Sequence, residues 1–182
     1  MVSIELQQLS RLVSDSQPDA RNKVESLIRR TSQVISDVHG LSHQWHSARL
    51  ETIGLIPTMM GFCRELAEQR NVEIDFTHGG VPDNVSLPLS VCLFRVLQEG
   101  LNNAVKHSGV RRFEARIERM GDELQLTIRD EGIGFDPGTK MYREGIGLIS
   151  MKERLSLVKG TLLISSSPQH GTFITARCPL SV

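Results

Sequence analysis

The sequence predicts an α+β fold, a two-layer α/β sandwich preceded by a helical hairpin. Three observations carry this. After residue 50, segments of helical spacing and segments of alternating apolar residues follow in the order helix, strand, helix, strand, strand, helix, strand, strand. Leu124, Leu126, Ile128 and Asp130 alternate with Glu123, Gln125, Thr127 and Arg129, so one strand puts a carboxylate on the same face as three aliphatic residues. The first 50 residues carry two apolar stripes at helical spacing, separated by a turn.

Taken in order, Ile4, Leu6, Leu9, Leu12 and Val13 predict a short helix and Asp15-Ser16-Gln17-Pro18 a turn. A long second helix follows through Val24, Leu27, Ile28, Val34, Ile35, Val38, Leu41 and Trp45. Such a hairpin cannot hide its own stripes, so residues 1–50 are expected to form a four-helix bundle from two copies of the chain, a homodimer. The alternative is that the stripes pack on the rest of the chain.

Residues 51–182 form the second domain. It opens with a helix around Thr58 to Arg70, and Val72, Ile74 and Phe76 then alternate as a strand. From Pro88 to His107, Leu89, Leu93, Val96, Leu97, Leu101 and Ala104 recur at helical spacing and predict a buried face. A hairpin turns at Gly121-Asp122, and Leu148, Met151, Leu155 and Val158 mark a helix headed by Gly145-Ile146-Gly147. A last hairpin closes the chain. Helices on one face of a mixed, largely antiparallel sheet would place a ligand between the layers.

The polar face of the Pro88–His107 helix can carry chemistry. Glu99 and Asn103 are four apart, and Lys106 and His107 follow three and four residues on, so all four lie along one stripe. A carboxylate can orient a proton or act as a base. An amide carbonyl can complete a magnesium shell, and a lysine can offset phosphate charge. An ordinary solvated face is the plain alternative. Asp130 sharpens the choice, because an inward carboxylate is costly unless donors meet it, and an adenine amino group is a suitable donor. Gly132 and Gly134 follow at once, where missing side chains let the backbone approach a flat ligand. Gly145 and Gly147 open a helix whose free amides form an anion site, although neither a Walker sequence nor a dinucleotide fingerprint is present. Together these features read as an ATP site.

The set Glu99-x-x-x-Asn103-Ala104-x-Lys106-His107, Asp130-x-Gly132-x-Gly134, Gly145-x-Gly147-Leu148 and Gly171-Thr172 resembles the N, G1 and G2 boxes and final Gly-Thr of the GHKL ATPase superfamily, which has the Bergerat ATP-binding fold. It is most similar to sensor histidine kinases of the nitrate-sensor and desaturase-thermosensor type, including a short lid between Phe135 and Glu144. The resemblance implies that Glu99 helps activate the phosphate acceptor, Asn103 holds Mg2+, and Asp130 bonds the adenine amino group. It implies that Gly132, Gly134, Gly145 and Gly147, with Leu148, shape the pocket and lid, that Lys106 and His107 lie near the phosphates, and that Thr172 reaches adenine through water. Asn102 competes with Asn103 for the magnesium role, but the family spacing favours Asn103; Glu131 stands where many members have Asn. The cofactors implied are ATP and Mg2+, and the partner is a response regulator receiver domain.

Composition excludes other classes. Lys and Arg number 21 against 21 Asp and Glu, and the basic residues are scattered, so nothing favours nucleic acid. Cys63, Cys92 and Cys178 are far apart among apolar neighbours, which suits buried thiols in a reducing compartment. No apolar run approaches the roughly 20 residues of a membrane helix, and no signal peptide is visible. The expectation is a cytoplasmic fragment with no membrane contact, from a protein whose intact form can still be membrane-anchored.

His39, His43 and His46 lie on nearly one helical face, yet Gly40 stands where a zinc protease needs its glutamate. They are followed by Gly40, Gln44 and Ser47, whereas the family's phosphoacceptor is followed by an acidic residue. The acceptor histidine is therefore expected to be absent from this chain. A clamp-type GHKL ATPase, an anti-sigma serine kinase and a nucleotide-binding module without turnover are the rival readings; phosphate fate separates them.

Overall fold

In a computed structural model the described residues are 48–136 and 146–181. The chain separates into two units, Met1–Ala48 and Arg49–Val182, and the second holds every element below. The predicted hairpin, up to residue 47, and the expected lid from residue 137, with Gly145, lie outside the described residues.

The elements run α1 (Leu55–Arg70), β1 (Glu73–Gly79), α2 (Leu87–His107), β2 (Arg112–Met120), β3 (Glu123–Asp130), α3 (Ile146–Leu157), β4 (Thr161–Ser166) and β5 (Thr172–Pro179). This is the order the periodicities predict. α1 stops where Asn71 enters the left-handed region at φ 52° and its N–H bonds back to Ala67 and Glu68 carbonyls, the usual way a helix end satisfies orphan acceptors. α2 opens with proline in its first turn and ends in Lys106 and His107, whose charge suits a helix C-terminus.

The five strands lie in the order β1-β2-β3-β5-β4. β1 and β2 pair in parallel, with Glu73 opposite Arg112, and the other three pairings are antiparallel. Met120 opposes Glu123, so the β2–β3 turn is Gly121-Asp122, with Gly121 at φ 64°.

Alternation decides which face is buried. Phe113, Ala115 and Ile117 of β2, Leu124, Leu126 and Ile128 of β3, and Ile174, Ala176 and Cys178 of β5 all point into one core. Glu114, Arg116, Arg129 and Arg177 take the opposite, exposed face. Onto the inner face α2 lays Leu89, Leu93, Val96, Leu97 and Leu101, each fully buried, together with buried Ala104. α1 adds Leu55, Met59, Cys63 and Leu66, and α3 adds Met151 and Leu155. Phe62 and Phe94 meet edge to face at 5.7 Å, a favoured aromatic geometry. Gly100 lets α2 come close to the sheet, since a Cβ there would collide with the tip of Ile128. A mixed sheet thus carries its helices on one side, and no helix among the described residues is long and apolar enough to cross a membrane.

Candidate active site

The floor of the site is the end of β3. Period-two geometry turns Asp130 inward, where it is 6% exposed. The Gly132 N–H donates to its carboxylate at 2.9 Å. Thr172, its register partner on β5, donates through both its hydroxyl and its backbone N–H. Burial lifts the carboxyl above its ordinary range despite these three donors. An ionised Asp130 therefore gains from a further donor.

The turn after Asp130 is clamped between two neighbours. A Cβ on Gly132 would sit 2.5 Å from the Ser108 Cβ and 2.8 Å from its carbonyl carbon. A Cβ on Gly134, at φ 57°, would sit 2.8 Å from the Gly171 carbonyl oxygen. The Ile133 N–H donates to the Ser108 carbonyl at 2.8 Å, and Gln169 N–H donates to the Ile133 carbonyl at 2.6 Å. Ser166 ties the same corner together: its Oγ accepts the Phe135 N–H at 2.9 Å and donates to the Gly171 carbonyl at 2.8 Å. The Thr172 hydroxyl lies 3.2 Å from it.

Above this floor is a cavity of about 430 Å3. Its walls are mostly apolar, with Ile128, Ile133, Ile164 and Ile174 around the polar group of Asn103, His107, Ser108, Asp130 and Thr172. Apolar walls with a few placed polar groups suit a flat heterocycle. A larger hollow of about 730 Å3 opens beside Asn71, Arg111, Arg112 and Arg129. Its rim mixes arginines with Glu73, Glu114 and Glu131, beside Val72, Val110 and Asp130.

At the far end of the cavity α2 meets the head of α3. The Asn103 amide donates to Glu99 Oε1 at 3.0 Å, which turns its carbonyl oxygen away from the carboxylate. Gly147 presses on this pair, for a Cβ there would lie 2.9 Å from Glu99 Cδ and 3.3 Å from Asn103 Nδ2. Leu148 joins the cavity wall. Asn103 borders the cavity, whereas Asn102 is exposed outside the lining and donates to the Gln98 carbonyl at 2.8 Å. His107 reaches the cavity edge, whereas Lys106 is exposed and outside the lining. Glu131 points away and accepts from Arg129 at 2.8 Å.

The structure therefore brings Asn103, His107, Asp130, Gly134, Gly147, Leu148 and Thr172 around one space, with Glu99 outside the lining and joined to it through Asn103 and Gly147. Ser108 and Ser166 are the residues that sequence spacing does not reveal. Ser108 acts through its backbone carbonyl, and the Ser166 hydroxyl bonds main-chain groups of Phe135 and Gly171; main-chain partners leave no pattern in the side chains. Ile128 was legible as an inward strand residue.

The family model for the histidine kinase-, DNA gyrase B- and HSP90-like ATPases matches residues 90–182, which carry all of these groups. This chain belongs to that family. Its domain is an ATPase module, and ATP is the nucleotide the family implies. The chain is 32% identical over 164 residues to the signal transduction histidine-protein kinase/phosphatase DegS of Brevibacillus brevis, covering 90% of this chain and 40% of that protein. It is 30% identical over 174 residues to the sensor histidine kinase MctS of Rhizobium johnstonii, covering 94% of this chain and 37% of that one. The chain thus spans about two fifths of the length of these relatives. In fold it is similar to the histidine kinase domain of the Erythrobacter litoralis EL346 blue-light activated kinase, with TM-score 0.66 at 16% identity over 98% of this chain and 95% of that one. It is also similar to the Acinetobacter baumannii kinase AdeS, with TM-score 0.61 at 15% identity over 99% and 96%.

Proposed function

We propose that this ATPase-family domain binds MgATP and transfers its γ-phosphoryl group to a protein histidine, from which the phosphate passes to an aspartate on a response regulator. The observation that carries the reading is the pairing of Glu99 with Asn103 against Gly147 at one end of a cavity whose other end is the buried Asp130. The base end and the reacting end then fall on opposite sides of one slot.

Asp130 accepts the adenine amino group, and its ionised form is stabilised by that extra donor. Thr172 has its hydroxyl proton engaged within the protein, so it offers lone pairs to a bridging water. The free amides at the head of α3 face the phosphates. Lys106 supplies positive charge from the helix end, and His107 lines the edge of the slot. Asn103 fits a magnesium ion, because its carbonyl oxygen is the part not engaged with Glu99. The described residues hold no cluster of three His, Cys, Asp or Glu, so the ion would take its remaining ligands from water and phosphate, as magnesium commonly does. Magnesium supplies charge neutralisation. Glu99 accepts a proton from the attacking imidazole and orients its other nitrogen for in-line attack.

In the intact protein residues 1–50 would pair two copies, the domain would face the cytoplasm, and the accepting histidine would lie outside this chain. The relatives DegS and MctS, by name a histidine kinase/phosphatase and a sensor histidine kinase, support the same reading. The test is the fate of γ-labelled phosphate in the intact kinase. Acid-labile phosphoprotein is the expected result; free phosphate alone would instead mark a clamp-type ATPase, and an unchanged nucleotide a binding module.

A further inference from the structure

The inner face of the sheet ends in a polar row. Across β3, β5 and β4 the register sets Leu126, Ala176 and Leu162 side by side, then Ile128, Ile174 and Ile164, then Asp130, Thr172 and Ser166. Period-two alternation turns all three rows to the same side. The first two rows pack into the core. In the third, Asp130 and Thr172 line the cavity and Ser166 stands outside the lining. Ser166 therefore acts on the cavity through its neighbours.

Valence fixes what its hydroxyl does, since the oxygen has one proton and two lone pairs. The Gly171 carbonyl can only accept, so at 2.8 Å it takes the Ser166 proton. The Phe135 N–H can only donate, so at 2.9 Å it takes one lone pair. The second lone pair is left for the Thr172 hydroxyl, 3.2 Å away, which is the donor at that contact. The single Thr172 proton is thus held on the protein side, between Ser166 and Asp130, and its lone pairs remain for the cavity. The turn between β4 and β5 also grips the chain before Phe135, because the Gln169 N–H donates to the Ile133 carbonyl at 2.6 Å. Ile133 and Phe135 both border the cavity. One end of this wall is held by a backbone amide and the other by the Ser166 side chain, so a substitution at Ser166 can release it.

We propose that Ser166 is a positioning residue for the purine base: its hydroxyl sets the separation of the Phe135 and Thr172 walls and aims the Thr172 hydroxyl, without touching the ligand itself. The inference rests on the ATP reading of the cavity and adds to it a residue outside the lining. The phosphate end lies at Asn103 and the head of α3, across the cavity from this corner, and is expected not to sense the change.

The test is calorimetric titration of the full chain with MgATP and, separately, with magnesium tripolyphosphate, which carries the phosphates without the base. Ser166→Ala should weaken MgATP binding about tenfold, the loss expected for one hydrogen-bonded contact, and leave the tripolyphosphate titration as in wild type. Ser166→Thr keeps the hydroxyl and should recover the wild-type affinity. In the intact kinase KM for ATP should rise by the same factor with kcat unchanged, a split that general loosening of the fold would not give. Ser166→Cys keeps the shape of the side chain but bonds weakly, so it carries the same test should the alanine variant unfold. Wild-type MgATP affinity in the alanine or cysteine variant, an equal loss for both ligands, or no recovery with threonine would overturn the inference alone. Equal affinity of the wild type for MgATP and magnesium tripolyphosphate would instead overturn the reading of the cavity as a base site, and the inference with it.

Discussion

Gly147→Ala separates positioning from folding more sharply than any other single change in this site. The added Cβ would overlap Glu99 Oε1 and lie 2.9 Å from Glu99 Cδ. Oε1 is the end of a flexible side chain, so the carboxylate can withdraw while the helices stay packed. The cost to folding is one charge-assisted hydrogen bond from Asn103, about 1.5 kcal/mol at a half-buried site, set against some tenths gained by replacing a helical glycine. A net loss of about 1 kcal/mol follows, well within the reserve of an ordinary domain. Catalysis has no such slack. The carboxylate must retreat by about 1 Å, and a misplacement of that size costs on the order of 10²-fold in rate. The assay is acid-labile phosphohistidine formation on the intact kinase, with MgATP affinity from calorimetry and a thermal melt alongside. The expected result is a kcat lower by about two orders of magnitude with KM for ATP little changed. A kcat equal to wild type in a folded variant would refute the assignment of Glu99 to the reacting end.

Other substitutions probe the remaining walls. Gly134→Ala meets the Gly171 carbonyl at 2.8 Å in a left-handed backbone, and backbone cannot swing aside, so a loss of about 2–4 kcal/mol by urea unfolding and a matching loss of nucleotide binding are expected. Gly100→Ala drives a methyl into Ile128 Cδ1; overpacking of about 1–3 kcal/mol should exceed the roughly 1 kcal/mol gained in helix propensity, and adding Ile128→Val should restore stability. Burial raises the Asp130 carboxyl, so its ionised form is a folding cost that is absent in acid below the ordinary value of about 3.9 and grows as pH rises through the raised one. Base binding runs the other way: affinity for adenosine, measured by calorimetry, should fall on acidification at a pH above the ordinary carboxylate range, and Asp130→Asn should flatten the profile.

Much of this was legible because period and burial agree. Leu89 to Ala104 predicted the buried face of α2, and each of those residues is buried. Alternation predicted that Asp130 faces inward, and it does. Sequence spacing could not decide between Asn102 and Asn103 by chemistry alone; of the two, Asn103 borders the cavity and Asn102 does not. Nor could it separate His107 from Lys106, since one stripe of helix is wider than the cavity edge, and only His107 borders the space. Ser166 was invisible for a different reason. Its role comes from Phe135 N–H and Gly171 carbonyl groups brought together across the sheet, and main-chain geometry of that kind leaves no trace in residue identity. The histidine face of residues 39–46 and the glycine at 145 fall outside the described residues.

The most direct test of the account is calorimetric titration of ATP with magnesium into this chain and into Asp130→Asn. Saturable binding by the wild type that the substitution abolishes is the predicted result, because the Gly132 and Thr172 donors would hold the one remaining carbonyl oxygen and turn the amide NH2 toward the adenine amino group. Equal binding by both proteins would contradict the placement of adenine at Asp130, and binding by neither would contradict the nucleotide site itself.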